Sequence, residues 1–505
     1  MANLSFNYSG EWADVCHVLR CFSTDTILKR ISTAAIALQK ESHGVKWVEY
    51  DLFDTVKRTS EKKKSVITLW GLIDLAYYTV VVSNDYRGKR TITDEEFYML
   101  FDAVESMKQK KEKEFLDAET VGSRELLMYL WGFSGEQFKV QEQNIIFESA
   151  GRELYILFEL SKKVPDASID ISSIVQNEIG MTWEKVLCGL MLGWVFSTMN
   201  CCVTKTTCPF NDPELISREE YLKVISHYSI TYEMLRKSKL KRQALYTKPY
   251  IITQKNETLG MIPFLNLCLY EHAILWIVRD YFNYKKEQDQ WFTSYFGKCF
   301  EKYFEELLNC SLREDEYEKI PEATNRRADW KMKIDGYRFL VEQKSTLIRL
   351  NAKQQAPSIG DIEYFAKQTL IKAIGQLDTT EKEFAEGQFI KIILLYDDYL
   401  NPEILEQVFT MKECDTESDN HFWLVTIEEM EILLSLCPKN RDSFDSIIEE
   451  KNRREIAHSK DGKTLFQIMR KQGVLENDFL KREGIAYYRD LALEKIRHFM
   501  SKTGS

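Results

Sequence analysis

The sequence predicts an α/β domain, a mixed sheet with flanking helices, set between a mostly α-helical first half and a helical C-terminal segment. Three observations carry this. Two alternating runs flank Asp335-Gly336, and Asp-Gly supplies the positive φ that a two-residue hairpin turn needs. Two apolar runs, 389–396 and 422–427, have the length and composition of buried strands. Elsewhere apolar residues recur at helical spacing, and Pro is scarce at 9 of 505 residues, which favours long helices with short connections.

In chain order, segments 12–22 and 25–38 carry apolar residues at helical spacing. Segment 62–78 reads as an apolar helix with a basic start. Thr93 precedes Asp94, Glu95 and Glu96, a capped helix start with acids in its first turn. Helical patterns continue through 123–133 and 144–162. Residues 186–204 hold no charge but include Gly189, Gly193, Ser197, Thr198 and Asn200, so a buried core helix is expected rather than a membrane span. A small hairpin over 250–262 and a long apolar helix over 264–281 follow. The expected division is a helical sensor or assembly domain at 1–245, a connector at 246–290, the sheet domain at 291–440 and a helical extension at 441–505.

The helix over 291–308 carries a core stripe of Phe292, Phe296, Phe300, Phe304 and Leu307. Gly297 and Glu301 lie one turn apart on a neighbouring face. With Asp335 and Gly336 as the turn, Ile334 faces Tyr337, Lys333 faces Arg338 and Asp329 faces Glu342. One hairpin face then bears Trp330, Met332, Ile334, Tyr337, Phe339 and Val341, which belong on a core. The other face bears Asp329 beside Glu342, with Lys344 two residues beyond. Like charges so placed are destabilising, so a cation is expected between them. Oxygen ligands with a nearby Lys suit Mg²⁺ or Mn²⁺ better than Zn²⁺; an ordinary charged strand face is the alternative. A polar loop at 348–360 leads to a helix over 361–377, on which Tyr364, Gln368, Lys372 and Gln376 recur every four residues. Those donors suit a phosphate backbone, or else form a solvated face.

Hydrophobic residues make up 44% and the net charge is −10. The chain is therefore globular, and any polyanion must be met by a local patch: Arg326, Arg327, Lys331, Lys333, Arg338 and Lys372. The 11 cysteines show no secreted framework and the N-terminus has no leader pattern, so a cytoplasmic protein with reduced thiols is expected. His17, His43 and His227 have no ligand partners at a recognised spacing, and Cys201, Cys202 and Cys208 form no zinc motif. The basic run 237–242 reads as a solvated linker or a phosphate contact.

Asp329 followed by Glu342-Gln343-Lys344 resembles the Asp…(Asp/Glu)-x-Lys signature of the PD-(D/E)xK nuclease superfamily, which includes restriction endonucleases and antiphage nucleases. Gly297-Lys-Cys-Phe-Glu301 is similar to the pattern on that family's first helix, and Gln376 to its Gln-bearing helix. Ala328 stands where the family often has Pro. The resemblance covers about 291–436 and implies a restriction-endonuclease-like fold and a Mg²⁺-dependent endonuclease acting on DNA. It implies Asp329, Glu342, Glu301 and the Gln343 carbonyl as metal ligands, and Lys344 and Gln376 as catalytic groups. By analogy with defence proteins, the first half would sense a signal, form a homo-oligomer or bind a partner protein. The rival expectation is a non-catalytic scaffold that binds nucleic acid or protein. Arg453 and His458 are similar to the Arg-x4-His signature of HEPN ribonucleases and give a third, metal-free expectation.

Overall fold

The computed structural model describes residues 12–39, 41, 44–54, 59–83, 90–116, 144–164, 169–200, 202–205, 215–286, 288–321, 327–345, 366–384, 387–396, 422–457 and 464–503. Helices dominate, with mixed sheets among them and helices on both faces of the largest sheet. The expected helices at 123–133 and the loop at 348–360 lie outside the described residues, as do Cys201 and Cys208.

Two cores organise the chain. The first gathers α1 (Trp12–Leu19), α2 (Thr24–Leu38), α3 (Leu69–Val82) and α4 (Asp94–Leu116). As expected, Thr93 caps α4: its hydroxyl accepts from Glu96 N at 3.3 Å while Glu96 Oε2 accepts from Thr93 N at 3.0 Å. One expectation fails here. Residues 62–68 are strand, not helix: β1 (Val45–Asp54) and β2 (Thr59–Thr68) form an antiparallel hairpin. Ser65 and Ile67 turn inward while Lys62 and Lys64 stay exposed, and this alternation is too short to stand out beside the apolar run that follows. Thr68 then ends the strand and caps α3, accepting from Gly71 N at 3.1 Å.

The second core runs from α5 (Asn144–Phe158), α6 (Ile171–Ile179), α7 (Trp183–Met199) and α8 (Arg218–His227) to the C-terminus. The uncharged stretch is α7, whose Val186, Leu190 and Met191 are fully buried. Among the described residues no single helix is long and apolar enough to cross a membrane. β3 (Ser229–Thr231) pairs in parallel with β4 (Tyr250–Ile252), which pairs antiparallel with β5 (Thr258–Gly260). The expected small hairpin is thus one edge of a three-stranded sheet. After it comes α9 (Pro263–Asp280), with Pro263 in its first turn, where a missing N–H costs nothing.

The two cores cut across the expected segments. Phe264, Leu265, Leu267 and Cys268 of α9 belong to the first core, and Leu269 to Val278 supply the second. The segment 246–290 is therefore a shared helix and sheet edge rather than a connector. Residues 150–228 share a core with the strands that follow. Periodicity finds which face of a helix is apolar but not which neighbour covers it.

α10 (Asp289–Ser311) leads into a five-stranded sheet ordered β10-β9-β8-β7-β6. β6 (Tyr317–Lys319), β7 (Trp330–Ile334) and β8 (Tyr337–Lys344) are an antiparallel meander. β9 (Ile390–Leu395) and β10 (Phe422–Thr426) continue in parallel with β8. The turn has the predicted register, with Ile334 opposite Tyr337 and Lys333 opposite Arg338. Asp335 has φ +45° and Gly336 φ +90°. A Cβ on Gly336 would meet nothing within 4 Å, so Gly336→Val is expected to cost its left-handed backbone penalty alone, about 1–2 kcal/mol. The urea unfolding midpoint checks this; an unchanged midpoint would refute it.

α10 covers the sheet face that bears Trp330: Phe304 meets the Trp330 ring edge-on at 6.0 Å, and Phe300 meets Tyr396 at 5.2 Å. The opposite face is covered by α11 (Lys372–Phe384), which follows a π-helical turn, Ala366–Ile371. Of the predicted helix 361–377, residues 361–365 with Tyr364 lie outside the described residues, and the described part runs on to Phe384. With both faces covered, β9 is apolar along nearly its whole length. Beyond β10, α12 (Ile427–Ser435), α13 (Arg441–Ile456), α14 (Leu465–Lys471) and α15 (Glu483–Thr503) close the chain. α15 packs back on the first half, where Tyr488 stacks on Phe158 at 6.0 Å, so it is no separate extension.

A buried polar joint ties these parts together. Arg152 of α5 donates to both oxygens of Glu431 on α12, at 2.6 and 2.8 Å. Tyr303 of α10 and Asn477 donate to the same carboxylate at 2.5 and 2.6 Å. Arg152 is 2% and Glu431 0% exposed, so charge pairing and full hydrogen bonding are what make this burial tolerable.

Candidate active site

The hairpin and α11 bring the predicted residues to one point. Asp329 lies one residue before β7, where its N–H donates to Val341 O at 3.0 Å and its carbonyl accepts from Ile320 N at 2.9 Å. It is therefore held on both sides, by β8 and by the chain leaving β6. Its Oδ2 accepts from Gln343 N at 2.7 Å, which turns the carboxylate toward the end of β8. Glu342, next in register after the Trp330–Val341 pair, is buried. Its Oε1 pairs with Lys344 Nζ, and its Oε2 is buried without a hydrogen-bond partner. Lys344 Nζ also donates to Gln376 Oε1 at 3.1 Å. Asp329, Glu342, Lys344 and Gln376 thus form one constellation.

α11 sets this geometry from above. Gln376 Nε2 donates to Arg327 O at 3.0 Å, and Thr380 Oγ1 accepts from Ala328 N at 2.8 Å. Arg327 pairs with Glu383 at 2.5 Å. Buried Lys391 of β9 holds Asp378 and Glu381 at 2.8 and 2.7 Å. Residues 376, 380 and 383 share a face of α11, so it grips the segment carrying Asp329. Thr380, Glu383 and Lys391 make these contacts and were not singled out from the sequence; the four-residue step from Gln376 to Thr380 was the available signal.

Gln343 serves as a hinge pin. Its side chain accepts from Trp330 Nε1 at 2.7 Å and donates to Phe300 O at 3.3 Å, fixing the end of β8 against α10. Val341 O points toward Asp329, and carbonyls alternate along a strand, so Gln343 O faces the same edge.

The predicted carboxylate Glu301 is placed differently from expectation. It lies on α10 and pairs with Lys319 of β6, a residue that sequence reasoning did not single out because its strand is three residues long. Among the described residues no three His, Cys, Asp or Glu side chains converge as a metal-ligating group. The unpartnered Glu342 Oε2 beside Asp329 is nonetheless a seat that a divalent cation fits. Mg²⁺ is commonly held by one or two carboxylates, with water and substrate phosphate completing its shell.

Five of the six predicted cations lie among the described residues and differ in their surroundings. Lys333 and Lys372 are exposed. Lys331 lies over the Phe384 ring at 4.5 Å and pairs with Glu318 at 3.2 Å. Arg338 lies over Phe389 at 5.8 Å. Both are half-buried because α11 and the start of β9 cover the face that the sequence left open. Arg327 is engaged with Glu383, and Arg326 lies outside the described residues, as does the side chain of Gln368. Of the basic run, Arg242 pairs with buried Asp74 at 2.9 Å, a structural use. Arg453 is exposed and paired with Glu450 at 2.8 Å, and His458 lies outside the described residues.

Burial raises both carboxyls of the site. Asp329 is raised to about 6, first by burial and also by the Glu301 charge, against the Gln343 N–H and Lys344. Glu342 is raised to about 8, by burial and then by Asp329, with Lys344 and a Gln376 hydrogen bond opposing. Unfolded, both groups titrate near 4. The folded chain therefore binds more protons than the unfolded one between about pH 4 and 8, and stability falls as pH rises through that window. In EDTA the melting temperature is expected to drop between pH 5.5 and 8.5. Glu342→Gln should reduce that drop by about 2 °C. Equal drops in scanning calorimetry of the two proteins would contradict the assignment.

Comparison with family models, with curated proteins and with solved structures returns no match for this chain. Its chemistry has to be read from the site itself.

Proposed function

We propose that this chain is a Mg²⁺-dependent endonuclease that hydrolyses phosphodiester bonds in DNA. The observation that carries the reading is the buried, unpartnered Glu342 Oε2 beside Asp329, with Lys344 and Gln376 hydrogen-bonded over it. The element order supports it too. A helix, an antiparallel meander, a helix and a parallel strand follow one another as the resemblance to PD-(D/E)xK nucleases implies. Asp329 and Glu342 would hold Mg²⁺ or Mn²⁺, with Gln343 O at the same edge. When bound, that cation supplies Lewis-acid polarisation of the scissile phosphate and a more acidic water.

The chain's own groups do the rest. Lys344 presents an ammonium that orients the attacking water and offsets charge developing on the phosphate. Gln376 fixes Lys344 through its carbonyl oxygen while its amide holds the Arg327 carbonyl, so the lysine and Asp329 keep one spacing. Water adds to phosphorus as the opposite P–O bond breaks; the attacking water gives up one proton to solvent and the released oxygen takes one from it. Exposed Lys333 and Lys372 are the cations of the predicted set best placed to meet phosphates. On this reading the first core and its helices sense a signal or mediate assembly, as in restriction and antiphage defence effectors, within a cytoplasmic protein.

The test is cleavage of plasmid, single-stranded DNA and RNA by the full chain, in Mg²⁺ and in EDTA. DNA cleavage in Mg²⁺ alone is expected. Cleavage of RNA that persists in EDTA would instead support Arg453 and His458. A chain that cuts nothing and binds no divalent cation would support the scaffold reading.

A further inference from the structure

The Lys319–Glu301 ion pair stands at the edge of the site and is not needed to hold β6. Backbone pairing does that, from Tyr317 opposite Met332 to Lys319 opposite Trp330, and then Ile320 N to Asp329 O at 2.9 Å. The ladder sets Lys319 opposite Trp330, the residue after Asp329, on the sheet face that α10 covers. The Lys319 and Glu301 side chains are 49% and 27% exposed, so solvent and small cations reach them. Glu301 is near enough for its charge to act on Asp329. Even so, Glu301, Asp329 and Glu342 do not converge as a ligand set. Its partner explains why: Glu301 is drawn to an ammonium.

We propose that Lys319 is the resident counter-ion of this site, holding Glu301 off the Asp329–Glu342 pair, so that a divalent cation recruits Glu301 only by displacing Lys319. This rests on the reading of Asp329 and Glu342 as a cation seat. The exchange is physically accessible. Exposed ion pairs are weak, and a doubly charged ion attracts a third carboxylate more strongly than an ammonium does. Lys319 swings into solvent on its flexible stem, with no covalent change. The device keeps the acidic edge neutralised in the absence of metal and sets the metal concentration at which the site fills.

The experiment is a titration of the full chain with Mn²⁺, followed through the paramagnetic resonance signal of the free ion. Lys319→Gln removes the competitor and is expected to bind Mn²⁺ about tenfold more tightly than the parent. Lys319→Arg keeps the charge and should bind as the parent does. Glu301→Gln should bind more weakly, and adding Lys319→Gln to it should change nothing further, because Lys319 acts through Glu301. Unchanged affinity in Lys319→Gln overturns the proposal and leaves the cation seat standing. An equal gain in the Glu301→Gln background also overturns it, since Lys319 would then act by direct repulsion. A parent chain that binds no Mn²⁺ overturns the seat together with the proposal.

Discussion

Lys344→Ala is expected to lower Mg²⁺-dependent DNA cleavage by about 10²- to 10⁴-fold, the range for a positioned acid–base group. The fold should survive. Lys344 ends β8, and the ladder there is carried by backbone bonds such as Tyr396 N to Lys344 O at 3.0 Å. What the variant removes is the ammonium that joins Glu342 Oε1 to Gln376 Oε1. The Glu342 carboxyl then loses its nearest opposing charge and moves further up from about 8. The residual activity of Lys344→Ala should therefore rise more steeply with pH than that of the parent. Initial rates on plasmid between pH 6.5 and 9 measure both effects. Parent-like rates with an unchanged melting curve would remove Lys344 from the mechanism.

Arg152→Ala is expected to destabilise the chain by about 3–5 kcal/mol, the cost of leaving one partner of a buried pair uncompensated. Glu431 is fully buried and its carboxylate is shared by Arg152, Tyr303 and Asn477. Losing the guanidinium leaves two neutral donors around a charge that cannot reach water. Replacing both partners, as Arg152→Met with Glu431→Leu, should recover most of the loss, because the charge to be solvated is gone. Urea unfolding of the single and double variants gives the comparison. A loss below about 1 kcal/mol for the single variant would show that water reaches the joint, since exposed pairs contribute no more than that. The joint spans α5, α10, α12 and the segment before α15. Its loss should therefore broaden the unfolding transition as well as shift it.

The hairpin was legible in the sequence because several independent signals agreed on it. Asp335-Gly336 marked the turn and alternation marked the faces, and the two together gave the register from Ile334–Tyr337 to Trp330–Val341. Gln376 was legible through its four-residue spacing with Lys372. The strands at 390–395 and 422–426 announced themselves as continuous apolar runs. What was not legible depended on partners distant in the chain. Lys319 sits on a strand too short to show alternation, so the counter-charge of Glu301 was invisible. Lys331 and Arg338 looked solvent-facing until α11 and Phe389 covered them. Segment 62–68 read as a helix start because its inward pair, Ser65 and Ile67, is brief and one member is polar. The division between the two cores was hidden for the same reason. α9 feeds two cores at once, and nothing in its own pattern says where one core ends.

Calorimetric titration of the full chain with Mg²⁺ decides whether Asp329 and Glu342 form a divalent-cation seat. A saturable isotherm near pH 8 that weakens as pH falls toward 6 is expected, because Asp329 and Glu342 are raised to about 6 and 8 and must give up their protons to bind the ion. Asp329→Ala is expected to abolish the isotherm. Identical isotherms for the parent and Asp329→Ala, or no Mg²⁺ binding at any pH in that range, would contradict the seat.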